Sequence, residues 1–337
     1  MTVGIYLPDR NVTLPDGRPV RTQSAIHFAG RYRLIDFTLS NLVNSGVQRI
    51  GIGLGSEYQT LVAHIGSGRD WDLSRKIGGV TFYPPYLSDG ILHGATERLK
   101  EGLTGYAADN VIFCDGSIFY NMNYRAAIDV HQLQYSDITS IVTERNGEEV
   151  PLHTYIMSKT VAMALLERIS HDHTGIEHVN ELINAQFSVR KYEFSGYSGQ
   201  INSLTGFYEY NMEMLDAEKR NALFKNPIGR VYTSARDSQP TNYGPDADVR
   251  NSIIADGCQI YGTVTNSVIF RRVVVGRGAV VSDSILQNDT IVEPGAEVSY
   301  TVTDKNVVIT PRQVLIGSPN GYGNKVKPLF IHSDETI

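Results

Sequence analysis

A chain of 337 residues, 41% apolar and 20% charged, has room for two domains, each large enough to bury its own core. Its formal net charge of −6, with no run of Lys and Arg, excludes a nucleic-acid surface or an anionic membrane as the main partner, and no apolar run approaches the roughly 18 residues of a membrane span. Two cysteines, Cys114 and Cys258, make no disulfide framework, and the N-terminus carries no signal-peptide pattern, so a reducing, cytoplasmic setting is expected.

In chain order, VGIYL (3–7) reads as a buried strand. It is followed by PDRNVTLPDG (8–17), where Pro8 and Pro15 lack N–H donors and the one glycine, Gly17, stands at the far end. In FAGRYRLIDFTLSNLVNSGVQRIGIGL (28–54), Ile35, Leu39, Leu42 and Val43 fall at i, i+4, i+7 and i+8, opposite a polar stripe of Asp36, Ser40 and Asn44. That spacing predicts an amphipathic helix over 34–45, stopped at Gly46. Further strands are expected at 49–54, 111–114, 138–142 and 154–158, and further helices at 57–65, 94–103, 123–134, 159–169 and 201–216. The alternation predicts a layered α/β domain over 1–225.

A polar stretch with two prolines, KNPIGRVYTSARDSQPTNYG, supplies a linker over 226–243, and the pattern then changes. NSII, NSVI, DSIL and YTVT recur with their Ser or Thr at 252, 267, 284 and 301, spaced 15, 17 and 17 apart, and Gly278-Ala279 repeats at Gly295-Ala296. A period near 17, built from β-branched pairs separated by Gly, Asn and Asp, predicts three short strands per turn of a β-helix over 244–337. An irregular β-sandwich is the alternative. A β-helix leaves an open coil end that a partner or cap must cover, which points to an oligomer.

The segment RTQSAIHFAGRYRLIDFTLSNLVNSGVQRIGI (21–52) closely resembles the glucose-1-phosphate adenylyltransferase (ADP-glucose pyrophosphorylase) family, and the resemblance runs over nearly the whole chain. It implies a Rossmann-like mixed-sheet nucleotidyltransferase domain followed by a left-handed parallel β-helix. It also implies a tetramer, and chemistry that joins ATP to glucose 1-phosphate with release of pyrophosphate. That chemistry calls for a Gly-rich turn around the triphosphate, carboxylates for Mg²⁺ and cations for the substrate phosphates. The family's Gly-rich turn aligns with residues 8–17, which resemble no phosphate motif. Its two metal-binding Asp align with Ser117, in CDGSIFYNMNY, and Gln200, in SGQINSLTGFYEYN; Asp115 is an imperfect substitute two residues away. A family Lys aligns with Gln23, and a second has no counterpart, because ERNGEEVPLH leaves too short a connection for the family's sugar-phosphate excursion.

These departures all remove charge or donors, and they make the chain similar to the family's non-catalytic, GlgD-type regulatory subunits. The resemblance then implies no metal or cofactor on this chain and Mg²⁺ in a catalytic partner subunit. A phosphorylated sugar effector is expected at Arg21, His27 and Arg33, the family's effector-contact positions, taken as exposed arginines beside a histidine. The plainer reading makes the arginines surface charges and His27 a packed core residue. Arg271, Arg272 and Arg277 read as a solvated turn, HDHTGIEH (His171, His173, His178) as a loop whose spacing fits no zinc pattern, and Asp36 as a structural helix residue. Three other functions stay open: an atypical active nucleotidyltransferase using Asp115, a pure scaffold without ligand, and a hexapeptide acyltransferase. The last lacks its base, since no His occurs between residues 179 and 331.

Overall fold

Short apolar runs alternating with helical patterns build one seven-stranded mixed sheet. The computed structural model describes residues 1–7, 11–13, 19–55, 57–88, 91–133, 136–145, 147–172, 179–225, 227, 229–235, 237–319 and 326–337. The sheet strands are β1 (Thr2–Tyr6), β2 (Arg49–Gly53), β3 (Gly79–Tyr83), β4 (Asn110–Cys114), β5 (Ile138–Arg145), β6 (Glu148–Ser158) and β7 (Val189–Glu193). Their order is β7-β5-β6-β4-β1-β2-β3, with β4, β1, β2 and β3 mutually parallel and β6 antiparallel to both neighbours. Each central strand is buried on both faces, which is why its sequence is a continuous apolar run. Tyr6, Ile50, Ile52, Ile112 and Cys114 pack in one core with Ile35, Leu39 and Leu42 of α1 (Leu34–Asn44). Val3, Ile5, Val111 and Phe113 pack in the other with Leu99 of α2 (Ala95–Thr104) and Leu165 and Leu166 of α3 (Lys159–Asp172).

Helix α1 spans the predicted residues, but its polar stripe is interior: Asp36 and Ser40 are fully buried. The cause lies in the segment read as a linker. Ser40 Oγ accepts the Tyr232 N–H at 2.8 Å, Asn44 donates to the Arg230 carbonyl at 2.9 Å, and Phe224 packs on Phe37. Residues Ala222–Ser234 thereby close the third side of α1.

The chain divides into two compact units. The first comprises Met1–Ile26, Arg33–Gln200 and Ala222–Ser234; the second comprises His27–Tyr32, Ile201–Asn221 and Ala235–Ile337. His27–Tyr32 and Ile201–Asn221 thus pack with the C-terminal residues, away from their neighbours in sequence. Within that second unit, Asn211 accepts the Ala29 N–H at 2.9 Å, and Tyr208 donates to the Asp283 carbonyl at 2.7 Å.

The repeat region forms three five-stranded parallel sheets, consistent with a left-handed β-helix. Successive partners Ile253, Val268, Ile285 and Val302 keep the spacing read from sequence. Ile260, Val264, Val275, Val281, Val292 and Val298 fill the interior. Each coil turns corners with residues in the left-handed region, which Gly, Asn and Asp enter most readily: Asn251, Asn266 and Asp283 at one corner, Gly257 and Asp289 at another, Gly278 and Gly295 at the third.

The recurrent hydroxyls have a local role. The Oγ of Ser252, Ser267 and Ser284 donates to the carbonyl two residues earlier and accepts the N–H of Ser267, Ser284 and Thr301 in turn, each at 3.1 Å. Because this ladder is buried at Ser284, Ser284→Ala should cost about 1–3 kcal/mol by stranding the Thr301 N–H, read as a lower urea midpoint.

Both thiols are buried, and burial pushes Cys114 up to about 12 and raises Cys258 as well. The thiolate is the reactive form, so neither should react with a thiol reagent at about pH 8 until the protein is unfolded.

Candidate functional site

Open α/β sheets bind ligands beyond the carboxyl ends of their parallel strands. Here β1 and β4 end side by side, Tyr6 opposite Cys114, and the Leu7 N–H extends the pairing to the Cys114 carbonyl. The chain then runs through Asp115, Gly116 and Ser117 into β-strand Ile118–Tyr120, which pairs antiparallel with Ser198–Gln200.

That pairing sets Ile118 opposite Gln200 and brings the Gln200 Nε2 to 3.4 Å from the Ser117 Oγ. Two positions 83 residues apart, identified separately by resemblance, are thus neighbours, and both are uncharged. Asp115 does not replace them. Its Oδ1 accepts the Ser117 N–H at 2.6 Å and its Oδ2 pairs with His153 Nδ1 at 3.0 Å, with Asp115 only 8% exposed.

His153 sits in a bulge of β6, where the register shifts between Ile141, opposite Thr154, and Val142, opposite Pro151. Its φ of 46° lies in the left-handed region, uncommon for a residue with a side chain. Its carbonyl also accepts the Asp115 N–H, so two bonds hold the bulge to the end of β4. Sequence reasoning missed His153, since nothing in ERNGEEVPLH marks a partner for Asp115.

The space over Gly116 is filled by side chains. A Cβ on Gly116 would lie 2.6 Å from Tyr6 Cε2 and 2.8 Å from Ser24 Cβ, so the Tyr6 ring and Ser24 occupy the space above this glycine. Both are fully buried, and Gln23 beside them is 8% exposed in the short 3-10 turn Gln23–Ala25. These residues do not fit Mg²⁺, which takes carboxylate oxygens: Ser117 and Gln200 are neutral and both oxygens of Asp115 are engaged. Among the described residues no group of three or more His, Cys, Asp or Glu side chains could hold a metal ion.

The segment aligned with the family's Gly-rich turn, residues 8–17, falls largely outside the described residues; what is described is a hairpin pairing Asn11–Thr13 with Pro19–Thr22. Strands β5 and β6 pair as far as Arg145 opposite Glu148, so only two residues, 146 and 147, connect them.

A nucleotidyl transferase family model matches residues 20–156, and a model of the GlmU-like C-terminal hexapeptide region matches 239–325. The glycogen biosynthesis protein GlgD of Bacillus subtilis (strain 168) is 31% identical over 305 residues, covering 88% of this chain and 87% of that protein. The chain belongs to the glucose-1-phosphate adenylyltransferase family. The glucose-1-phosphate adenylyltransferase of Acetivibrio thermocellus is 30% identical over 355 residues, 93% of this chain and 82% of that enzyme. GlgD of Geobacillus stearothermophilus is 33% identical over 268 residues, 77% of each chain.

In this adenylyltransferase-family chain two of the expected effector residues, His27 and Arg33, are engaged in packing. Arg33 is not an exposed arginine: it is 6% exposed, and its Nη1 donates to the Thr60 carbonyl at 3.1 Å. It is buried because it enters α1, where its own N–H caps onto Asp36 Oδ2 at 2.9 Å. Within the second unit His27 is buried, edge-on to Phe270, with Nδ1 3.1 Å from Gln287 Oε1 and Nε2 3.3 Å from Asn288 Nδ2. Arg21 lies opposite Val12 in the hairpin, and its side chain is outside the described residues, as are His173 and His178 and the His171 side chain. Arg272 forms a bidentate pair with Asp289 across two coils, at 2.6 and 2.7 Å, consistent with a turn residue. Among the described residues no helix is long and apolar enough to cross a membrane.

Proposed function

We propose that this chain is a non-catalytic subunit of an ADP-glucose pyrophosphorylase, serving glycogen biosynthesis beside a catalytic homologue that joins ATP to glucose 1-phosphate. The observation that carries this reading is the pair Ser117 and Gln200, adjacent and neutral at the carboxyl end of β4, with the nearby carboxylate already committed to His153. A site without free carboxylate oxygens lacks the electrostatic means to hold a metal against a triphosphate.

Association through the β-helix is supported by its surface. Tyr243, in the inward row of the first coil, is 51% exposed because no earlier coil covers it. The outward row Val274, Ile291 and Val308 places one aliphatic residue on each of three consecutive coils. Co-expression with a catalytic homologue tests the proposal: a mixed oligomer should form and differ from the homologue alone in activity or in effector response. A monomer in every mixture would refute it.

A regulatory role through a phosphorylated effector at Arg21, His27 and Arg33 is the finer part of the proposal. A phosphate there must draw His27 or Arg33 from its present partners. The bonds of His27 to Gln287 and Asn288 and of Arg33 to Thr60 favour the second reading, a scaffold subunit that binds no effector. Arg21→Ala and Arg33→Lys in the mixed oligomer separate the two. An unchanged response to sugar phosphates in both variants leaves the scaffold.

A further inference from the structure

A carboxylate withdrawn from water needs compensation, from hydrogen-bond donors or from a cation. At the carboxyl end of β4 the Asp115 side chain is 9% exposed, and donors of the chain itself supply that compensation. The Ser117 N–H donates to Oδ1 at 2.6 Å, and Oδ2 lies 3.0 Å from His153 Nδ1. An ionised carboxylate only accepts, so Nδ1 carries the hydrogen of this bond.

The imidazole is held in place from several sides. The His153 carbonyl accepts the Asp115 N–H, Leu152 before it is buried in the core, and the Thr154 hydroxyl after it meets the Tyr120 hydroxyl at 2.6 Å. Between these anchors His153 keeps its φ of 46°, a conformation that a residue with a side chain holds only where the surroundings over-determine it. The ring is 30% exposed and Asp115 only 9%, so the imidazole shields from solvent the oxygen that it bonds.

We propose that His153 is a built-in substitute for a metal ion: its Nδ1–H takes the place on Asp115 Oδ2 that a hard divalent cation would take, and so keeps Asp115 from serving as a ligand. The poor fit of this strand end to Mg²⁺ then has two parts, the neutral side chains of Ser117 and Gln200 and a carboxylate that is locked. The proposal rests on the reading of a strand end unfit for metal. Its test is cation binding by the isolated chain, so it can fail while partnership with a catalytic homologue stands.

Mn²⁺ relaxation enhancement is compared in the full-length variants Ser117→Asp, Ser117→Asp/His153→Gly and Ser117→Asp/His153→Gly/Asp115→Asn. The first supplies a second carboxylate beside Asp115, and glycine accepts the φ of 46° at position 153 without strain. Removing the imidazole should tighten Mn²⁺ binding about ten- to a hundredfold, the worth of a hydrogen bond to a charged group that the cation no longer has to displace. The third variant should lose that gain. The wild-type chain gives a test that needs no substitution: nitrogen NMR of labelled histidine should show a protonated His153 Nδ1 that millimolar Mg²⁺ leaves unchanged. Equal Mn²⁺ affinity with and without His153, a gain that survives Asp115→Asn, or loss of the Nδ1–H signal on adding Mg²⁺ to the wild-type chain would each overturn the proposal.

Discussion

Purified alone and given ATP, glucose 1-phosphate and Mg²⁺, this chain is expected to form no measurable ADP-glucose. Loss of metal-assisted charge neutralisation alone removes several kcal/mol of transition-state stabilisation, on the order of 10³-fold in rate or more. Restoring one carboxylate with Ser117→Asp should not recover turnover, because Gln200 remains its neighbour at that strand end. The double variant Ser117→Asp/Gln200→Asp should gain divalent-cation binding, read as Mn²⁺ relaxation enhancement, and still not turn over. Tyr6 and Ser24 would continue to fill the space over Gly116, and Gln23 would still bring no positive charge to substrate phosphates. Turnover by the purified chain, abolished by Asp115→Asn, would show instead that Asp115 leaves His153 to bind metal.

The largest expected effect on stability is at Asp36. Its carboxylate is fully buried, with Oδ1 2.5 Å from His64 Nε2 and Oδ2 accepting the Arg33 N–H. Asp36→Ala should cost about 3–5 kcal/mol, because removing one member of a buried pair leaves the other, and here also a helix N-terminal N–H, without a partner. Asp36→Asn keeps the shape and one acceptor oxygen and should cost about 1–3 kcal/mol. The single tryptophan makes the measurement local: Trp71 is 2% exposed and packs edge-on to His64, so its fluorescence follows this unit in a urea titration. A midpoint for Asp36→Ala corresponding to less than about 1 kcal/mol would mean that the pair contributes little and that Asp36 is held for another reason.

Local periodicity was enough for much of the architecture. The recurrence of Ser and Thr at 252, 267, 284 and 301 follows from the coil itself: each hydroxyl serves the same ladder position, and most corners carry Gly, Asn or Asp in left-handed backbone, with Arg272, Tyr300 and Arg312 as exceptions. Helix α1 was legible from Ile35, Leu39 and Leu42, since a helix that meets a sheet must show it apolar residues at that spacing. The same pattern misjudged the other side of α1, because what covers Asp36 and Ser40 arrives from residues far along the chain: Thr60 and His64 near Arg33 and Asp36, Tyr232 at Ser40.

At the strand end, resemblance located Gln23, Ser117 and Gln200 one by one. Their residue types show only that none of the three side chains carries a charge. Only the tertiary structure decided that Ser117 and Gln200 touch, that Asp115 is occupied by His153, and that His27 faces Gln287 and Asn288, 260 and 261 residues away. Each of these depends on strand register and on which side chains the packing brings within hydrogen-bond reach. A sequence records periodicity because neighbours along the chain share a backbone geometry. It records no partner for a lone Asp or His, because hydrogen bonds across a fold leave no local pattern.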